Sequence, residues 1–184
     1  GGRRVAKTKT LMAQGNDVSV ITPLYNHLEP EEMNLSRRLR TLTVPRKSKN
    51  QEQVEATIWE GRVDRGVRIF FVEHDDYFGH DGIYGYEGEG EDASAARWAF
   101  FGRAIVEFLR QFPMPVDLVH CNDWHTALAP VYRNHYFEDE LGDIPFVFTI
   151  HNLAYQGLFP ADLFDETGLP QSFRSDDELL HDDQ

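Results

Sequence analysis

"VHCNDWHTALAP", residues 119–130, sets the fold class, because a short apolar run stops there at Asn, Asp and His and gives way to helix-forming residues. "IPFVFTIHN", residues 144–152, repeats the pattern one helix later, an apolar run ending in a His-Asn pair. Strand, helix, strand at this spacing predicts a parallel βαβ crossover. In an open parallel α/β sheet, ligands bind in the crevice outside the carboxyl ends of the strands. Asp123, His151 and Asn152 are therefore expected to emerge together at one such edge.

Each of these polar residues has a plainer reading beside the functional one. Asp123 is placed either to cap the helix expected near His125 or to meet a ligand, and both readings stay open. His125, in the first turn of that helix, reads as a structural hydrogen-bonding residue. His151 reads as functional, because no glycine or proline explains why the apolar run breaks there. His120 falls at an alternating strand position that points away from Asp123, which works against a metal site built from His120, His125 and His151. Cys121, the single cysteine, lies in an apolar run without cationic neighbours and reads as a reduced, buried thiol rather than a nucleophile. No GxSxG, GxGxxG or GxxxxGK[ST] pattern occurs, so the sequence offers no hydrolase elbow, dinucleotide loop or P-loop.

Outward from this centre, residues 5–13 predict a short helix ended by Gly15, followed by a strand in "DVSVITP". The polar segment 29–53 carries a basic run, Arg37, Arg38, Arg40, Arg46, Lys47 and Lys49, which reads as a solvated loop or sheet edge broken by a short strand in "LTVP". "VEATIWEGRV", the turn "DRG" and "VRIFFVE" predict a β-hairpin. Residues 74–92 are rich in glycine and aromatic side chains and read as a long binding loop. From Ala93 the register is helical, with Trp98, Phe101, Ile105, Phe108 and Leu109 on one core-facing stripe, and "FPMP" (112–115) ends the helix. The segment after Ala161 has only weak periodicity.

The chain has 184 residues, 41% of them hydrophobic and 12% aromatic, enough for an ordinary core and one domain. Its formal net charge of -13 disfavours nucleic acid and anionic membrane as partners. No apolar run approaches the length of a membrane span, the start lacks the apolar core of a signal peptide, and the lone cysteine fits a reducing, cytoplasmic compartment.

"GNDVSVITPLY" (15–25), "GIYG" (82–85), "CNDWHTALAPVY" (121–132) and "TIHNLAYQGLFP" (149–160) together resemble the N-terminal domain of the bacterial glycogen synthase and plant starch synthase family. The resemblance implies an α/β, Rossmann-like domain of a GT-B glycosyltransferase, with residues 1–184 forming part of the acceptor-side domain. It implies a retaining, metal-independent transfer of glucose from ADP-glucose to the non-reducing end of an α-1,4-glucan, with no cofactor beyond the nucleotide-sugar substrate. By the same resemblance His151 sits at the transfer centre, and Asn152, Asp123 and Tyr84 line the sugar-binding cleft. Gly1 and Gly2 stand where the family has a Lys-x-Gly-Gly donor loop, but the lysine is absent and Arg3 and Arg4 replace small or apolar residues. The family's first strand and C-terminal domain are not represented. The strand holding Val18 and Val20 is therefore expected to lack its inner neighbour, and the chain alone to be poorly stable and inactive. The alternatives are a non-catalytic glucan-binding or regulatory piece and an inert fragment of a synthase.

Overall fold

The computed structural model describes residues 2–45, 53–63, 66–80, 82 and 91–174. They fall into two compact units, Gly1–Leu42 with Glu55–Tyr86 and Thr43–Val54 with Glu87–Gln184.

The first unit opens with helix α1 (Gly2–Ala13) and strand β1 (Ser19–Pro23). α1 begins earlier than the expected Val5, because Arg3 and Arg4 are good helix formers and no breaker separates them from Val5. In chain order come strand β2 (Ser36–Arg37), strand β3 (Leu42–Pro45), which passes into the second unit at Thr43, and the long strands β4 (Gln53–Val63) and β5 (Val67–Glu73). β4 and β5 form the expected antiparallel hairpin, with Val63 level with Val67 and Thr57 level with Glu73. β1 lies parallel to β5, Ser19 level with Arg68 and Pro23 with Val72, and the path across the sheet is β1-β5-β4-β2. Phe70, Phe71 and Val72 are buried in succession along β5, and Val67 at its start is buried too, as suits a strand with a neighbour on each side.

The basic run behaves as an edge. Arg37 belongs to β2 and donates weakly to Thr57 Oγ1 (3.5 Å), while Arg38 is ion-paired with Glu60 (2.7 Å). Arg46, Lys47 and Lys49 lie outside the described residues. The segment expected to be one long loop from residue 74 instead contains a four-residue helix, α2 (Asp75–Phe78). Tyr77 and Phe78 are buried, and Asp75 and Asp76 occupy the helix's first turn, where carboxylates favour a helix start.

The second unit is built on helix α3 (Glu91–Gln111), which starts two residues before the expected Ala93. Four residues of its predicted stripe are core, Trp98, Phe101, Ile105 and Phe108, all at most 5% exposed, while Leu109 is partly buried against the core's edge. Strand β6 (Val119–Asn122), a short 3-10 turn over Trp124–Thr126, helix α4 (Leu128–Tyr136), helix α5 (Glu138–Leu141) and strand β7 (Phe146–Thr149) follow. Pro130 is the third residue of α4, within the first turn, where its missing N–H costs nothing. Gly102 lets α3 and α4 approach closely: a Cβ there would lie 3.1 Å from Leu128 Cβ and 3.3 Å from Tyr132 Cε2.

β6 and β7 are parallel, Val119 level with Phe146 and Asn122 with Thr149, which is the predicted crossover. The segment after Ala161 forms two short 3-10 helices, Ala161–Thr167 and Gln171–Phe173. The hydroxyls of Tyr132 and Tyr136 tie the first of them to α4, donating to the Thr167 and Gly168 carbonyls at 2.6 Å each. Burial pushes both phenols above the ordinary tyrosine range, Tyr132 far above it, despite the opposing charge of Arg103. Beneath them the buried Glu107 carboxylate meets Arg103 (3.2 Å), Arg110 (2.7 Å) and the Gln111 amide (2.9 Å), so that its lone pairs are satisfied where water is excluded.

The expectation of an unpaired strand face has a structural counterpart. Among the described residues β1 has one sheet neighbour, β5, and β6 has one, β7. Large apolar side chains are exposed around β7: Leu118 by 49%, Val147 by 43%, Phe148 by 41% and Ile150 by 55%. Unpaired strand edges beside exposed apolar side chains are templates for association. The isolated polypeptide is expected to self-associate as its concentration rises, and Phe148→Lys to reduce that tendency. Sedimentation velocity checks this, and a stable monomer with a cooperative thermal transition across the accessible concentration range would contradict it.

Candidate functional site at the carboxyl ends of two parallel strands

Alternation along β6 and β7 sorts their side chains by chemistry. His120 and Asn122 share a face with Val147 and Thr149, while Cys121 points to the opposite side and is buried. On the polar face the His120 ring Nε2 meets Thr149 Oγ1 at 2.6 Å. One step further along, the His151 ring Nε2 meets Asn122 Oδ1 at 2.9 Å. The Asn122 Nδ2 donates back to the His120 carbonyl at 3.1 Å. The strand pair thus carries a ladder of polar side chains that ends in His151.

Asp123 turns the chain out of β6. Its backbone has φ 61° and ψ 171°, a conformation nearly restricted to glycine and costing on the order of 1–3 kcal/mol. Three sets of bonds hold it there. Its N–H donates to the Thr149 carbonyl (2.9 Å), which continues the β6–β7 ladder. Its own carbonyl accepts from the Thr126 N–H (3.0 Å) and the Thr126 hydroxyl (3.1 Å). Its carboxylate Oδ1 accepts from the His151 N–H at 2.7 Å. The capping reading of Asp123 fails in this geometry: the side chain makes no cap bond to the 3-10 turn, and the carboxylate clamps the loop after the neighbouring strand.

His151, Asn152, Asp123 and the unforeseen Asn122 therefore meet at one strand edge. Asn152 is exposed and spends its Oδ1 on the Ala154 N–H (3.1 Å), an Asx-type turn that bends the loop back. His125 is a packing residue: its ring stacks on Trp124 (centroids 3.9 Å) and meets Trp98 edge-on (4.5 Å). The His120 ring is engaged with Thr149, and among the described residues no three His, Cys, Asp or Glu side chains gather as a metal-ligand set. Gly1 and Tyr84 lie outside the described residues, and Gly2 is the first residue of α1.

The loop 151–160 is seated on Trp124. Gly157, at φ 68°, lies so close to the indole that a Cβ would fall 2.2 Å from Trp124 Cε3 and 2.5 Å from Cδ2. Phe159 meets the same ring edge-on at 5.8 Å, and Trp98 supports it from α3 at 5.7 Å. On the loop's outer side Leu153, Tyr155 and Leu158 are each 70% exposed. Asn122, Trp124 and Gly157 were not singled out from sequence. Asn122 stood beside Asp123 in "HCND" as one more polar residue at a strand end, and the "YQG" glycine is explained only by a ring 33 residues away in sequence.

Cys121 lies directly behind this edge. Burial pushes its thiol up to about 11, against a smaller lowering by the Thr126 hydroxyl. Because the folded value is raised, the thiol form stabilises the fold below the ordinary cysteine range, and that contribution is lost as pH rises from about 9 toward about 11. Thiolate absorbance followed against pH is expected to show a midpoint near 11 in the folded protein, and a midpoint at the model-peptide value of 9.0 would contradict the buried placement. Gly157→Ala is expected to destabilise by more than the ~1–2 kcal/mol of left-handed backbone strain alone. Trp124→Ala removes the ring it would strike, so in a double-mutant cycle the pair should cost less than the sum of the singles. Strict additivity in denaturant titrations would show that the close approach is not real.

The geometry can now be set beside known proteins. The family model described as the starch synthase catalytic domain matches residues 6–184. The glycogen synthase of Caldicellulosiruptor bescii is 37% identical over 174 residues, covering 93% of this chain and 34% of that protein. That of Halalkalibacterium halodurans is 39% identical over 158 residues, covering 86% and 31%. The catalytic domain of starch synthase IV from Arabidopsis thaliana, solved with ADP and acarbose bound, matches with a TM-score of 0.78 and 28% identity over 92% of this chain and 34% of that one. The chain thus spans about a third of the length of the relatives it matches. With an α/β fold, parallel strands that end in a shared polar edge, and this agreement along almost its whole length, the chain belongs to the starch synthase catalytic-domain family of GT-B glycosyltransferases.

Proposed function

We propose that residues 1–184 form part of the acceptor-side, Rossmann-like domain of a retaining glucosyltransferase, which moves glucose from ADP-glucose to the non-reducing end of an α-1,4-glucan. The observation that carries this reading is the edge itself: His151 stands exposed at the carboxyl ends of two parallel strands, with its backbone N–H clamped by Asp123 and its ring held by Asn122. That is where ligands of open α/β sheets bind. Support for the ligand class comes from the Arabidopsis relative, whose catalytic domain was solved with ADP and acarbose, and from the glycogen synthases among the curated relatives.

In this reading each side chain has a task suited to its chemistry. The imidazole of His151 meets the donor glucose beside the carbon that develops oxocarbenium character during transfer. Asn152, exposed and with its Oδ1 committed to the Ala154 N–H, donates from Nδ2 to a sugar hydroxyl. Asp123 holds the His151 backbone in place and borders the same sugar site, and Tyr84 offers its ring to a pyranose face. Gly1 and Gly2 stand for the donor loop. The nucleotide sugar is a substrate, and transfer in this reading uses no metal or cofactor. Its partners are ADP-glucose, the glucan and a C-terminal GT-B domain that supplies the opposite wall, in the cytoplasm. A nucleic-acid or anionic-membrane partner fits poorly with a net charge of -13, and no helix among the described residues is long and apolar enough to cross a membrane.

The test is transfer of radiolabelled glucose from ADP-glucose to glycogen by a full-length protein carrying this chain. His151→Ala is expected to lower kcat by roughly a hundredfold or more while the KM for glucan moves little, the signature of an interaction made in the transition state. Unchanged turnover would remove His151 from the mechanism. The 184-residue polypeptide by itself is expected to transfer no glucose. If the full-length protein binds maltooligosaccharide by calorimetry yet neither binds nor uses a nucleotide sugar, the reading as an enzyme is wrong and a glucan-binding role replaces it.

A further inference from the structure

We propose that Asn122 is a positioning residue for His151: its amide fixes the imidazole as the Nε2–H tautomer and leaves Nδ1 as the ring's acceptor at the open strand edge. The inference rests on the glucosyl-transfer reading of this site and assigns one more residue to it.

The hydrogen bonds decide which atom carries the proton. The Asn122 amide lies between two groups, the His120 carbonyl at 3.1 Å and the His151 ring at 2.9 Å. A carbonyl oxygen can only accept, so the end of the amide facing His120 is the NH2. The opposite orientation would set two oxygens against each other. The end facing His151 is therefore Oδ1, which can only accept, and the ring nitrogen it meets must donate. In a neutral imidazole the other nitrogen then holds a lone pair. Among the described residues nothing is hydrogen-bonded to His151 Nδ1, so that lone pair is open to a ligand.

The position of Asn122 makes this a fixed restraint. It is the last residue of β6, level with Thr149, so its side chain emerges one pleat before the chain turns at Asp123. Asp123 holds the His151 backbone and Asn122 holds its ring, through adjacent residues of one strand end. The ring can neither flip nor rotate without giving up the Asn122 bond. One neutral hydrogen bond of this kind biases a tautomer by roughly two- to tenfold. Nδ1 then accepts from a sugar hydroxyl instead of donating to it, which selects the orientation of that hydroxyl in the bound glucose.

Ring-15N-histidine NMR of a full-length protein carrying this chain tests the assignment, with His151→Gln identifying the resonance. At a pH where the imidazole is neutral, the unsubstituted protein is expected to show the Nε2–H tautomer. Asn122→Ala should give a tautomer mixture and lower kcat about tenfold with little change in KM. A predominant Nδ1–H tautomer in the unsubstituted protein, or an Asn122→Ala variant with the same tautomer and the same kcat, would overturn the proposal. Absence of glucosyl transfer by the unsubstituted protein would overturn the functional reading, and the NMR measurement, which needs no substrate, would still decide the tautomer.

Discussion

The site depends on one unfavourable piece of backbone. Asp123 sits at a positive φ that a non-glycine residue adopts only when its surroundings insist, and the Thr149 carbonyl, Thr126 and the His151 N–H all do so. A hydrogen bond to a charged acceptor contributes about 1.5–3 kcal/mol, the same order as the backbone strain, so the corner persists because the carboxylate has a partner. The same bond joins the ends of β6 and β7, which alternation alone would leave independent. Strain at Asp123 and placement of His151 are two aspects of one interaction.

Behind the corner the support is aromatic. Trp124 follows Asp123 immediately, so turning the chain there also sets the indole against Trp98 on one side and Gly157 on the other. α3 presents Trp98 from a helix held to α4 by the close approach at Gly102 and by Arg103 over the Tyr136 ring (4.1 Å). A rigid helix therefore carries the platform, and the platform carries a loop whose outer side chains remain exposed. This is the usual division of labour between a scaffold and the loop that meets a ligand.

Much of this was legible in the residues. The β6–α4–β7 crossover followed from two apolar runs and a helical spacing, and the hairpin of β4 and β5 from alternation around "DRG". The core stripe of α3 followed from its period. The pairing of Asp123 was not legible, because Asp before a helix is a good cap and only the register of β7 reveals a better donor in His151. Nor was the work of Asn122, since a short polar side chain at a strand end has no periodic signature. α2 was hidden in a glycine-rich stretch because its two buried aromatics, Tyr77 and Phe78, are too few to define a repeat. Local patterns reveal elements; contacts between strand ends depend on register, which the pattern of one strand does not contain.

Cys121 has a use beyond its place in the core. It is the chain's single cysteine, it lies on the hidden face of the strand that carries Asn122, and its thiol is held largely protonated. A thiol reagent can reach it only when β6 separates from its cover. Labelling kinetics under native conditions would therefore report how often, and at what free-energy cost, this wall of the site comes apart. The molecule carries its own gauge of local opening, one residue from Asn122 and two from Asp123.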